Sequence, residues 1–181
     1  MAYQNRGFPV ASTSHEKILK LAVSFREFFE LPNGRIDLAT CFENMCRDMG
    51  LIWDVRDDFD PSLHGHEAWC IPEHAFMVLS ETTYANMLQG RGRALFTIMH
   101  EIGHYLLGHT RTVNREHNQG WPIYQDSEWQ ADTFAAEATM PLKEILDNKL
   151  FCPEAIKNYF GVSFSAATTR IGWLQRKGYI K

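Results

Sequence analysis

The sequence predicts an α+β fold in which a small β-sheet packs against several helices, and three observations predict it. Apolar residues recur at helical spacing in several separate segments, while two short runs, Leu51-Ile-Trp-Asp-Val55 and Ala75-Phe-Met-Val-Leu79, read as strands between them. The chain of 181 residues is 45% hydrophobic and 22% charged, with no fixed-period repeat, so one domain with a proper core is expected. Residues 1–141 are expected to form the core unit and 142–181 a C-terminal helical module packed on the same domain.

In order along the chain, Thr13-Ser-His-Glu16 fits a capping box, and Ile18, Leu19, Leu21, Ala22, Phe25, Phe28 and Phe29 continue it as a helix that Leu31-Pro-Asn-Gly34 stops. A second helix is expected over 37–49, with Leu38, Cys41, Phe42, Met45 and Met49 on one stripe and Gly50 as its stop. The two strands follow, separated by a polar stretch rich in Asp, His and Gly. Helix resumes over 82–109, broken by Gln89-Gly-Arg-Gly92, so that 93–107 forms one helix. Residues 110–125 read as a loop whose Trp121-Pro-Ile-Tyr124 suits a lid or substrate wall, or an ordered surface loop packed by Trp121. A helix over 127–138 ends at Met140-Pro141, and two short helical patterns flank Gly161-Val-Ser163 in the tail.

Composition narrows the function. Net charge is −4, which disfavours direct nucleic-acid binding over the whole surface. The stretch from Leu142 onward is locally basic, with seven Lys or Arg against three Asp or Glu. Cys41, Cys46, Cys70 and Cys152 form no CxxC pair and read as reduced thiols. The first ten residues lack the apolar core of a signal peptide, and no run is long enough to span a bilayer, so a cytoplasmic location without membrane contact is the expectation.

The chemistry concentrates in His100-Glu-Ile-Gly-His104. Helix positions four apart differ by about 40° around the axis, so the two imidazoles share a face and can reach one ion. Zinc, or another divalent ion, suits imidazole, and a catalytic site takes three protein ligands and leaves the fourth position for water. Glu101, beside the first histidine, can accept that water's proton. A five-residue pattern of this kind arises by chance about 0.025 times in a chain of this composition, so the helical context, with Leu95, Ile98, Met99, Ile102, Leu106 and Leu107 on a buried face, carries weight. For the third ligand, Glu128 on the following helix is the leading candidate, with Glu137, His109 and His117 as rivals. Asp132, four residues beyond Glu128, can accept the free N–H of a ligand histidine.

Phe96-Thr-x-x-His-Glu-x-Gly-His104, Glu128-x-x-Ala-Asp-x-Phe-Ala-Ala136 and Met140-Pro141 together resemble the ImmA/IrrE metallopeptidases, and residues 160–174 look like that family's C-terminal helical module. The chain departs from the family's habit at Met99, Arg93 and Asp132, none of which is a ligand position. The resemblance implies a zincin-like core, with a small twisted sheet beside the active-site helix. It implies zinc ligands at His100, His104 and Glu128 and a catalytic glutamate at Glu101. It also implies a protein substrate, a helix-turn-helix repressor. Two functions from different classes stand: a zinc-dependent endopeptidase, or a weakly active or inactive protein of the same fold that binds a repressor or DNA.

Overall fold

The computed structural model describes residues 4–110 and 120–180. Eight α-helices and a three-stranded sheet appear among them in the order α1 His15–Phe28, α2 Leu38–Met49, β1 Ile52–Arg56, β2 Ala68–Ile71, β3 Phe76–Ser80, α3 Glu81–Leu88, α4 Gly92–Leu107, α5 Ser127–Thr139, α6 Leu142–Asp147, α7 Pro153–Phe160 and α8 Phe164–Arg176. This is the expected α+β class. No helix among the described residues is long and apolar enough to cross a membrane.

Local chemistry accounts for the ends of the elements. The cap of α1 is Ser14, one residue later than the expected Thr13: the Ser14 hydroxyl accepts the Lys17 N–H, while Thr13 Oγ1 turns back to the Ala11 carbonyl. Asp37 precedes α2 and Gly50, at φ 69°, closes it. The sheet runs β1-β3-β2, with β1 parallel to β3 (Ile52 opposite Phe76) and β2 antiparallel to β3 (Ala68 opposite Leu79). Strand β2 lies in the stretch read from sequence as merely polar. It is four residues long, sits at the sheet edge, and shows no alternation of apolar and polar residues, so it carries too weak a periodic signal to be recognised. The middle strand β3 is buried continuously from Met77 to Ser80, as expected for a strand covered on both faces.

One apolar cluster joins these layers. Ile18, Phe25, Phe42, Met45, Leu79, Ile98, Ile102, Phe134, Ile156, Phe160, Ala167 and Leu174 all belong to it. Burying each such Leu, Ile or Phe side chain is worth about 1.5–3 kcal/mol. The buried face of α4 is Leu95, Ile98, Met99 and Ile102 as expected, whereas Leu106 and Leu107 are only partly covered at the helix end. Helix α5 crosses α4 at Gly103, where an added Cβ would stand 3.1 Å from Phe134 Cδ1 and 3.2 Å from the Ala131 carbonyl oxygen. That close approach brings the first turn of α5 within reach of the α4 histidines. All four cysteines are free, and burial lifts the Cys46 and Cys70 thiols to about 12.

Candidate metal centre

Helix α4 presents His100 and His104 from successive turns, and α5 brings Glu128 up to them from its own first turn. The Asp126 carboxylate caps α5 by accepting the N–H groups of Glu128 and Trp129 at 3.1 Å each. The two histidine Nε2 atoms lie 3.0 Å apart. Glu128 places Oε2 at 3.3 Å from His100 Nε2 and Oε1 at 3.4 Å from His104 Nε2. Ligand atoms held tetrahedrally at about 2.1 Å from zinc stand about 3.3–3.4 Å from one another, so the spacing of the two imidazoles and the two carboxylate oxygens is close to what that ion needs.

Hydrogen bonding on the far side of each ring decides which nitrogen carries the proton. His100 Nδ1 lies 2.9 Å from Asp132 Oδ1; a carboxylate only accepts, so Nδ1 donates and Nε2 keeps its lone pair. His104 is fixed through a longer relay. Gln130 Nε2 donates to the carbonyls of Ala11 and Tyr124 at 2.9 and 2.8 Å, which turns its Oε1 toward His109 Nε2 at 3.0 Å. His109 therefore donates from Nε2 and accepts at Nδ1. His104 Nδ1, 2.9 Å away, must be the donor to it, and His104 Nε2 is left with a lone pair as well. With both rings neutral, two lone pairs and a carboxylate converge on one point, an arrangement that is repulsive without a positive charge, a proton or a metal ion, at its centre. This donor set fits a divalent cation.

Without the ion, a proton on His100 supplies that charge. Burial disfavours charge on His100, yet hydrogen bonds to Asp132 and Glu128 and the nearby charges of Glu101 and Asp132 outweigh it and lift its pKa to about 10. The same two histidines hold Glu128 below the usual carboxylate range, against its burial. Burial lowers His109 to about 4, with some opposition from Gln130, so it stays neutral as the relay requires. Glu101 is buried, and burial, helped by the charge of Glu128, pushes its carboxyl up against the pull of His100, His104 and His66. Strand β2 packs against the helix that carries it.

A pH dependence follows. With the folded pKa of His100 raised from 6.5 to about 10, the metal-free protein holds a proton that metal must displace, and below that pKa uptake releases it. Apparent metal affinity is expected to rise about tenfold per pH unit between pH 7 and 9, with close to one proton released per ion. Calorimetric titration in buffers of differing ionisation enthalpy measures this; a pH-independent affinity would contradict it. By the same sign, the proton's contribution to stability of the metal-free fold is complete below 6.5 and lost as pH rises through about 10.

The structure thus brings His100, His104, Glu128 and Asp132 together, with Glu101 beside them. Two of the rival ligands, Glu137 and His109, have other partners. Glu137 is fully buried and engaged bidentately by Arg170 at 2.8 Å for both contacts. His109 stands behind His104 as its acceptor, because Gly108 at φ 62° ends α4 and turns the chain back so that the His109 N–H meets the His104 carbonyl at 3.1 Å. His117 and the 111–119 part of the supposed lid lie outside the described residues; residues 121–125 are tied down, with Gln125 and Tyr124 bonded to Val10 and Thr13. Sequence reasoning missed Gln130, Arg6 and the role of His109, whose partners are distant or face away from the HEIGH stripe. A groove of about 1000 Å³ walled by Phe96, Thr97, Trp129, Ala136 and Trp173 reaches Asp132, but His100, Glu101, His104 and Glu128 do not line it.

A peptidase family model described as the IrrE N-terminal-like domain matches residues 70–171, over half of the chain; it begins within β2 and takes in β3, the HEIGH helix, Glu128 and most of α8. No curated protein matches the chain.

Proposed function

The chain belongs to the IrrE N-terminal-like family of metallopeptidases, and from that premise we propose that it is a zinc-dependent endopeptidase that cuts a partner protein, a helix-turn-helix transcriptional repressor. The observation that carries the zinc centre is the convergence of the two histidine Nε2 atoms and a Glu128 carboxylate oxygen within 4.8 Å of one another, each imidazole locked from behind. His100, His104 and Glu128 hold the ion. When bound, it supplies Lewis acidity toward a water and toward the scissile carbonyl.

The chain's own residues do the rest. Glu101, buried and with its basicity raised, takes the proton as water oxygen bonds to the carbonyl carbon, then passes it to the amide nitrogen as the C–N bond breaks. Asp132 keeps His100 oriented. The repressor as substrate is supported by the family resemblance of the motifs.

The reading of a DNA- or repressor-binding protein with little activity draws on the basic end of α8, where Arg176 and Lys177 are exposed. The pair α7 and α8, however, spends Ile156, Phe160, Ala167, Ile171 and Leu174 on the core, leaving little of α8 to enter a groove of DNA.

The test is twofold. Purified protein is expected to carry about one zinc per chain, lost in His104→Ala. Metal-loaded protein incubated with candidate repressors is expected to cleave one of them at a defined bond, seen by mass spectrometry. A chain that takes up no divalent ion even with zinc added would refute the metal centre; cleavage that persists in a chelator would refute the mechanism.

A further inference from the structure

The segment before α1 lies along the start of α5, the helix that supplies Glu128. Asn5 Oδ1 accepts the Trp121 N–H at 3.0 Å while its Nδ2 donates to the Trp121 carbonyl at 2.9 Å. The Arg6 N–H donates to Asp126 Oδ2 at 2.9 Å, on the same carboxylate whose Oδ1 caps α5. Phe8 and Ser127 exchange two hydrogen bonds of 3.2 Å. Between them Gly7 lies so close that an added Cβ would stand 2.2 Å from Ser127 Oγ and 2.8 Å from Glu128 Cγ.

Two contacts reach further in. The Arg6 guanidinium meets Asp132 Oδ2 at 2.5 Å, while the other oxygen of that carboxylate holds His100. The Ala11 carbonyl accepts from Gln130 Nε2 at 2.9 Å, and Gln130 is the end of the relay that fixes His104 through His109. Both imidazoles are therefore oriented by chains of hydrogen bonds that end on one short stretch of backbone and side chain.

We propose that residues 5–11 are a strap that belongs to the metal centre: through Arg6 on Asp132 and the Ala11 carbonyl on Gln130 they orient His100 and His104, and so set the affinity for the metal. The strap rests on the zinc-centre reading above, and it adds Arg6 as a positioning residue that acts through Asp132. Outer partners of this kind are typically worth 10- to 100-fold in metal affinity.

The experiment compares zinc affinity, by competition with a chromophoric chelator, in wild type, Arg6→Ala, Arg6→Lys, Asp132→Asn and the Arg6→Ala/Asp132→Asn double variant. Arg6→Ala is expected to bind zinc about 10-fold more weakly, with Arg6→Lys recovering part of the loss. Because Arg6 acts through Asp132, its removal in the Asp132→Asn background is expected to change the affinity by less than about twofold. Thermal melting of the metal-free proteins shows whether Arg6→Ala still folds. As a second perturbation, Gly7→Val, whose side chain cannot fit against Ser127 and Glu128, is expected to weaken binding too. Cobalt-loaded protein gives a spectrum of the ligand field that shifts with His100 orientation and reads out without substrate. Wild-type zinc affinity in a folded Arg6→Ala, or an equal loss with and without Asp132, would overturn the strap while leaving the zinc centre standing. Failure of wild type itself to bind zinc would instead overturn the centre.

Discussion

Replacing Glu101 by Gln is expected to slow peptide-bond cleavage by about 10²- to 10⁴-fold while leaving zinc content at the wild-type level. Gln matches Glu in shape, and Glu101 is no part of the triangle of His100, His104 and Glu128, so the metal shell should survive. What is lost is a carboxylate whose basicity burial has raised. The loss should fall mainly on kcat, because proton transfer assists the transition state and not the binding of substrate. Zinc content and partner affinity measured beside cleavage separate the outcomes. A variant as fast as wild type removes Glu101 from the mechanism, and one that loses zinc makes it a ligand.

The second large effect concerns stability. Arg170 of α8 grips Glu137 of α5 with two bonds of 2.8 Å and also donates to the Met140 carbonyl, while His15 of α1 approaches the same carboxylate at 3.2 Å. Arg170 and His15 both contact the ring of Trp173, at 4.9 Å in each case. Arg170→Met would leave a fully buried carboxylate with only His15 and the Leu142 N–H to face, and a cost of about 3–5 kcal/mol is expected. For a domain of this size that is about 6–20 °C in Tm. Despite burial, His15 and Arg170 hold Glu137 below its usual range, so the pair stabilises the wild type above the unfolded pKa and weakens as pH falls through the folded one. Without Arg170, burial acts unopposed by the guanidinium, so the penalty should be largest near neutral pH and shrink toward pH 4 as Glu137 takes up a proton. Replacing both partners by Met should recover much of the loss. Melting curves from pH 4 to 8 test all three statements, and a single variant as stable as wild type at pH 7 would refute them.

What could be read from the sequence, and what could not, divides by range. The end of helix α2 was legible because Gly50 is a local signal, and α4 because its apolar period and the Gly90 to Gly92 break sit within one window. The proximity of His100 to His104, and of Glu128 to Asp132, is likewise a matter of one helical turn. The pairing of α4 with α5 needed only the assumption that consecutive helices meet. Arg6 had no such handle: it lies 126 residues from Asp132 and carries no periodic pattern of its own. His109 was visible as a histidine, but which way it faced depended on the turn at Gly108, so a rival ligand proved to be the acceptor behind one. Glu137 was misjudged for a related reason, since its partner Arg170 is 33 residues away on a helix known from sequence only as a short pattern. Helix α6 went unread because six residues after a proline give less than two turns of period.

The strap has a further consequence, for the order in which the molecule comes together. Its contacts join residues 116 to 126 positions apart, and at about 5–20 residues per second a ribosome needs on the order of 6–25 s to make the chain between them. Throughout that interval residues 5–11 are without their partners, and the HEIGH helix, which precedes Glu128 in the chain, leaves the ribosome before it. Loops of this length close slowly relative to helix formation, since their entropy must be spent before any contact is gained. The nascent chain therefore passes through a period in which two histidines are exposed and a full ligand set is absent. Metal taken up at that stage would be held loosely and exchanged freely, and tight retention would begin only once the N-terminal stretch has docked.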